Sequence, residues 1–273
     1  MTVALKSDAL WQVLREEAQT IAASEPVLAS YIHSTILHHR NLAEAISFHL
    51  ARLLDSAAAP ALLLREVCAE ALEQNPEILQ QICRDIVACY ERDAACDHYL
   101  MPLLYFKGFQ ALQSYRIAHW LWRNDRRLLA LHIQSRMSEV FAVDIHPAAV
   151  IGCGILMDHA TGVVIGETAI VEDDVSMLHE VTLGGSGLAR GCRRHPIIRR
   201  GVLLATGAKI LGPIEIGAGA KIGGGSVVLT DIPAHTTAAG VPAKVVGAAK
   251  VTQPALEMDQ ALDEHDEENN GDK

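Results

Sequence analysis

Residues 143–187 read VDIHPAAVIGCGILMDHATGVVIGETAIVEDDVSMLHEVTLGGSG, and along them an aliphatic residue returns every six positions. Neither a helix nor an ordinary strand has that period, and a short repeat of fixed length is the mark of a solenoid. Ile145, Ile151, Met157 and Val163 form one phase; after a slip of two residues, Ile165, Val171, Met177 and Leu183 form a second. Past a gap, Ile198, Leu204, Ile210, Ile216, Ile222 and Val228 form a third. Each hexapeptide then supplies one short strand and one corner, and three of them make a coil of 18 residues with the aliphatic side chain pointing inward. Glycine often follows the aliphatic residue, as in Ile165-Gly166 and Ile222-Gly223, where a sharp corner leaves no room for a side chain.

Half of the 273 residues are hydrophobic but only 4% are aromatic, so the core has to be built from Ala, Leu, Ile and Val. Of the net charge of -10, seven units fall in the last stretch of chain, where Glu257, Asp259, Asp263, Glu264, Asp266, Glu267, Glu268 and Asp272 face Lys273. The body therefore carries only -3, which leaves no basic face for nucleic acid. The amino terminus lacks a basic region followed by an apolar run, and no 18-residue apolar window exists, so the expectation is a cytoplasmic protein with no membrane partner. Cys68, Cys83, Cys89, Cys96, Cys153 and Cys192 show no ligand spacing and are expected to be reduced thiols, with no metal site.

Before the hexapeptides the period is helical. Leu10, Val13, Leu14, Ala18 and Ile21 recur at three and four, and further helices are expected over 27–38, 41–55, 60–73, 76–90, 102–122 and 125–140. The aromatic segment 105–122 reads as packing onto the solenoid or onto a second chain, with His119 a satisfied core histidine. The predicted organisation is a helical domain at 1–140, a solenoid at 141–250 with an extruded loop at 184–197, and an acidic tail at 251–273 that buries too little to be fixed.

The solenoid breaks its own rule at three places: Asp158-His159 where small residues usually stand, the two-residue slip between Val163 and Ile165, and the 15-residue spacing from Leu183 to Ile198. Interruptions of this kind mark binding surfaces. The long interruption, GGSGLARGCRRHP, ends on Arg193-Arg194-His195, guanidinium groups able to meet a carboxylate with paired hydrogen bonds, or simply a solvated loop. His159 is the best candidate base, with Asp144, 15 residues earlier and so about one coil step away, as its orienter. A histidine satisfied at a corner is an equal reading of the same spacing.

The motifs VDIHPAA, DHATG, VIGETA, VTLGGSG, RHP and HTTAAGVPA, in this order after a long helical domain, resemble those of the bacterial serine O-acetyltransferases, a branch of the hexapeptide-repeat acyltransferases. The resemblance covers nearly the whole chain apart from the acidic tail. It implies an α+β fold, an all-helical amino-terminal domain followed by a left-handed parallel β-helix. It implies transfer of acetyl from acetyl-CoA to the hydroxyl of L-serine, with L-cysteine as feedback inhibitor and assembly as a trimer or a dimer of trimers. By motif, His159 resembles the general base and Asp144 its carboxylate partner, Asp158 the acceptor of the serine ammonium, and Arg194 with His195 the holders of its carboxylate. Asp93 resembles a serine-binding acid of the helical domain, although Ala94 follows it where the family often has proline. Gly185, Ser186, Thr206, Lys221 and Gly224 are expected along the acetyl-CoA groove between prisms; the alternative for Lys221 is a solvated corner residue, since Lys209 has the same setting. An acetyltransferase for a sugar hydroxyl, or a non-catalytic scaffold, would leave Asp158 and Arg194 unexplained. Family members often end in an isoleucine that enters O-acetylserine sulfhydrylase; this chain ends in Lys273, so that partner is expected to bind weakly or not at all.

Overall fold

The computed structural model describes residues 7–187 and 191–260. Its first helix, α1 (Ser7–Ser24), buries Leu10, Trp11, Leu14 and Ala18, one stripe at helical spacing. α2 (Pro26–Ile32) runs on into a π-helical turn, His33–Leu37. α3 (Leu42–Leu53) starts on Asn41, whose side chain accepts from the Glu44 amide, and is followed by α4 (Ala61–Gln74). α5 (Pro76–Arg92) opens on a proline, at a position where the missing N–H costs little, and buries Ile78, Ile82 and Ile86. The single helix expected over 102–122 is two, α6 (Leu100–Tyr105) and α7 (Lys107–Arg123), separated at Phe106, whose backbone is extended. The interruption brings Gly108 hard against the solenoid, where a Cβ would stand 2.1 Å from the Met157 carbonyl oxygen. α8 (Arg127–Phe141) ends at Ala142, which takes a left-handed conformation (φ 56°) and turns the chain into the first strand.

From there the expected fold class is the one observed, a three-faced parallel β-helix. The first face stacks Val143–Ile145, Val163–Ile165, Thr182–Gly184, Lys209–Leu211 and Val227–Val228. The second stacks Val150–Ile151, Ile170–Val171, Ile197–Ile198 and Glu215–Ile216. On the third, Leu156–Met157, Ser176–Met177, Leu203–Leu204 and Lys221–Ile222 are extended by Thr236–Gly240 and the antiparallel Ala243–Ala248. The inward ladder is the one expected from the sequence, with Ile145, Ile165, Leu183, Ile210 and Val228 in register and all essentially buried. Each such side chain contributes roughly 1.5–3 kcal/mol of burial.

A short α9 (Pro254–Glu257) docks on the third face. Ala255 is fully buried and its carbonyl accepts from Ser176 Oγ at 2.8 Å. Within the stretch expected to be loose from residue 251 onward, Pro254 and Ala255 are buried, a small apolar plug that the acidic composition around them conceals. Residues 261–273, the rest of that expectation, lie outside the described residues.

The two domains are joined through a buried ion pair. Asp85 on α5 and Arg116 on α7, 0% and 3% exposed, meet at 2.6 Å. Arg116 also donates to the Gly152 carbonyl at 2.8 Å and to Gln81, while the other Asp85 oxygen accepts from the Ile155 amide at 3.0 Å. Helices and first coil are thus tied by groups that have no water to fall back on. Nearby, Tyr115 donates to the Ala149 carbonyl at 2.5 Å and His119 Nδ1 lies 2.7 Å from the Pro147 carbonyl oxygen, which makes His119 the satisfied histidine expected. Asp85→Ala, by leaving the Arg116 charge buried and alone, is expected to cost about 3–5 kcal/mol, whereas the double replacement Asp85→Leu with Arg116→Met should recover most of it. Denaturant unfolding at fixed protein concentration reads both; a loss below about 1 kcal/mol for Asp85→Ala would remove the pair from this role.

Candidate active site

The two extra residues of the first coil are not spread along a strand. Inward positions recur at six everywhere around the corners leading from the third face to the first, except between Met157 and Ile165, which are eight apart. The insertion is the corner at residues 158–162, where His159 and Ala160 adopt left-handed backbone (φ 54° and 56°) and Gly162 follows at 76°. Two consecutive non-glycine residues in that region store strain of order 1–3 kcal/mol each, which the stacked coils on either side have to hold. The corner pushes the His159 imidazole outward, with 76% of the side chain exposed.

That imidazole borders a cleft of about 410 Å³ between the helical domain and the prism, lined among others by Asp93, Lys107, Met157, Asp158 and His159. Asp158 Oδ1 lies 3.8 Å from His159 Nε2. Burial raises the Asp158 carboxyl above the usual carboxylate range, His159 pulls it down, and Asp93 across the cleft pushes it up again. Two carboxylates that repel each other at one wall are a site for a cation such as an ammonium group. The helical domain reaches the corner directly through Lys107, whose Nζ contacts Thr161 Oγ1.

The corners above repeat the position. His159, His179, Thr206 and Gly224 each stand two residues after an inward residue, Met157, Met177, Leu204 and Ile222, and so form a column along one edge of the prism. The His179 carbonyl accepts from the Gly207 amide at 2.9 Å and that of Thr206 from Gly225 at 2.8 Å, which fixes the column. The rings of His159 and His179 meet edge to face, centroids 6.0 Å apart. His179 escaped the sequence reading, although Met157-Asp158-His159 and Met177-Leu178-His179 repeat the same phrase one coil apart.

Arg194 and His195 stand on a different edge, where the chain passes from the first face to the second. The Arg194 guanidinium is held by Glu167, whose carboxyl is lowered mainly by that hydrogen bond. His195 Nδ1 accepts from the Thr168 amide at 3.1 Å, and its ring fills the space of a side chain that Gly166 lacks. Burial lowers the His195 imidazole below its ordinary value, and Arg194 lowers it further. Gly185 borders the same two residues, and Ser186 packs against Gly212. Glu167 and Thr168, which hold this arrangement together, were not singled out beforehand, and nothing in their spacing marks them.

Two sequence expectations change. Asp144 makes no hydrogen bond to His159; its Oδ1 accepts from Gln134 at 2.7 Å. The first coil holds 20 residues, so Asp144 pairs with Val164, five positions beyond His159, and the 15-residue offset does not bring them together. Asp144 instead lines a cavity of about 400 Å³ with Gln134, Ser135, Ser138 and Glu139 of α8. Lys221 does not stand on the column of His159 and Thr206. It is buried under the tail on the third face, its Nζ 3.7 Å from Asp259 Oδ2.

Known proteins bear on this geometry. The family described as "Serine acetyltransferase, N-terminal" matches residues 10–114. The serine acetyltransferase of Escherichia coli strain K12 is 55% identical over 251 residues, 92% of each chain. The crystal structure of the Vibrio cholerae serine acetyltransferase superposes with a TM-score of 0.93 at 53% identity, covering 94% of this chain and 99% of that one. A serine acetyltransferase in complex with cysteine gives 0.92 at 51% identity (94% and 100% covered), and one in complex with CoA 0.85 at 52% (88% and 100%). At this identity over this span, the chain belongs to the serine acetyltransferase family.

Proposed function

We propose that the chain transfers acetyl from acetyl-CoA to the hydroxyl of L-serine, giving O-acetylserine and CoA, the entry to cysteine synthesis. The observation that carries this reading is the cleft that gathers Asp93, Asp158 and the exposed His159. Its carboxylates suit the serine ammonium and its imidazole takes the hydroxyl proton at neutral pH. A sugar acceptor would have no use for the two acids. The column above His159, through Thr206 and Gly224, offers small corners along which a pantetheine arm can lie, and a relative binds CoA.

Arg194, His195, Gly185 and Ser186 occupy the next edge of the same prism, so one chain does not bring them to His159. In a trimer of prisms the Arg194 edge of one protomer faces the His159 edge of its neighbour. There the guanidinium, released from Glu167, receives the serine carboxylate, and Asp144 approaches the His159 of the neighbouring protomer as its orienting acid. Two trimers joined through the helical domains complete the assembly. L-cysteine carries the same ammonium and carboxylate as serine, and a relative binds it, so competition for the serine site is the direct route to feedback control.

CoA release measured with L-serine, with a panel of sugars and with no acceptor tests the reaction; release is expected with serine alone. His159→Ala should leave a folded protein that binds CoA and turns over about a hundredfold more slowly or worse, and near-native turnover would exclude His159 as the base. Arg194→Ala should raise the KM for serine far more than that for acetyl-CoA and blunt inhibition by cysteine, since it removes one charge-assisted contact to a shared pair of ligands. An equal rise in both constants removes Arg194 from the serine site.

A further inference from the structure

Arg92 is the last residue of α5 and stands immediately before Asp93, the acid that the helical domain lends to the cleft. Its side chain, 4% exposed, enters the seam between α5 and the second coil. There Nη1 donates to Ser176 Oγ at 3.2 Å and Nη2 lies 3.5 Å from Asp174 Oδ1. Ser176 is fully buried and uses its own hydrogen on the Ala255 carbonyl, so it meets the guanidinium with a lone pair. Among the described residues Arg92 Nε is buried with no hydrogen-bond partner. Nor does Asp174 need this cation, since Arg84 contacts the same oxygen at 2.9 Å and Arg200 lies 3.8 Å from the other. A buried charge that is surplus to its acid and partly unsatisfied is a poor source of stability, because an apolar side chain of similar volume would pack as well or better. The neighbouring residue supplies a different reason for it.

The Asp93 amide donates to the Cys89 carbonyl at 3.0 Å, its carbonyl accepts from Cys96 at 2.9 Å, and its Oδ1 accepts from the Ala95 amide at 2.9 Å. These bonds fix the acid to the end of α5 and to its own turn, not to the prism that carries Asp158 and His159. Helix ends fray, and Ala94 places no restriction on the Asp93 backbone such as a proline would impose. The other polar ties from α5 to the prism, at Arg84 and Asp85, lie about two turns further back. Arg92 grips the prism at Ser176, and the next residue, Met177, accepts the Asp158 amide at 2.9 Å. Both acids of the cleft are thereby referenced to one short strand, Ser176–Met177. We infer that Arg92 is a positioning residue for the serine site: its tie to Ser176 and Asp174 sets Asp93 against Asp158 and so the fit of the substrate ammonium between them. The inference rests on the acetyl-transfer reading above. Two carboxylates from separate domains serve one ammonium only when their spacing is held to within about 0.5 Å.

Steady-state kinetics of the full chain compare wild type with Arg92→Met, Arg92→Lys, Asp93→Asn and the double replacement Arg92→Met with Asp93→Asn. Met keeps most of the stem and loses the bonds; Lys keeps the charge and a donor for Ser176. Arg92→Met is expected to raise the serine KM about tenfold while kcat and the acetyl-CoA KM stay within about threefold, and Lys should recover part of the loss. Asp93→Asn should raise the same constant about tenfold or more. Adding Arg92→Met to it should change the serine KM by less than about twofold, because a residue that acts through Asp93 then has nothing left to act on. Effects that multiply in the double variant, a serine KM unmoved by Arg92→Met, or a loss shared by kcat and both KM values would each overturn the role. If Arg92→Met fails to fold, Arg92→Lys in the two backgrounds closes the same cycle, with a rise of about threefold expected in the first and none in the second. A serine KM unmoved by Asp93→Asn, or wild-type protein that does not acetylate serine, would overturn the preceding reading and this inference with it, a result distinguishable from failure of the Arg92 role alone.

Discussion

A coil of this prism has to bring the chain back to the same inward position one level up, because the strands on each face pair only in that register. Any residue in excess of the repeat is therefore excluded from the ladder and has to leave at a corner. The chain spends its excess twice, two residues at the corner of His159 and nine at the loop that returns through Arg194 and His195. The ladder of Ile145, Ile165, Leu183, Ile210 and Val228 is what makes each extrusion a defined projection instead of a slack loop. The candidate chemistry is concentrated where the repeat is violated, and the rigidity that positions it comes from where the repeat is obeyed.

The helical domain gives the first coil something the repeat cannot. A solenoid end exposes unpaired backbone, and here the Gly152 carbonyl and the Ile155 amide on either side of Cys153 are satisfied by Arg116 and Asp85. Those bonds lie a few residues before Asp158 and His159, and Gly108 packs directly behind Met157. The strained corner is thus supported by coil two from above and by α5 and α7 from the side. Asp93 follows the last residue of the same α5 that carries Asp85, so one helix holds the scaffold contact and delivers a carboxylate to the cleft.

The fold was legible because a six-residue period is a statement about geometry at every level, and fourteen aliphatic positions repeat it. The residues at interruptions were legible for the same reason. What could not be read was which interruption faces which. Counting 18 residues per coil placed Asp144 beside His159, but the insertion that marks the site also changes the count, and the carboxylate pairs with Val164. Arg194 and His195 were read as belonging with His159, whereas the prism separates them by one of its faces. Lys221 has the sequence surroundings of Lys209, yet it is buried on the third face beside Asp259, while Lys209 on the first face contacts the Glu180 carbonyl. Single-chain periodicity fixes height along the prism, while azimuth depends on insertions and on what covers each face.

That separation has an electrostatic consequence. The two edges differ in charge: on one, burial and Asp93 across the cleft raise the Asp158 carboxyl, and on the other Arg194 is paired with Glu167. In the proposed reaction a zwitterion with its ammonium toward the first pair and its carboxylate toward Arg194 would satisfy both, and a neutral hydroxyl compound would satisfy neither. On the proposed reading, binding energy of this kind would require both edges, and substrate recognition and assembly of neighbouring prisms would draw on the same contacts. The bulged corner would then need to do little more than hold one imidazole between them.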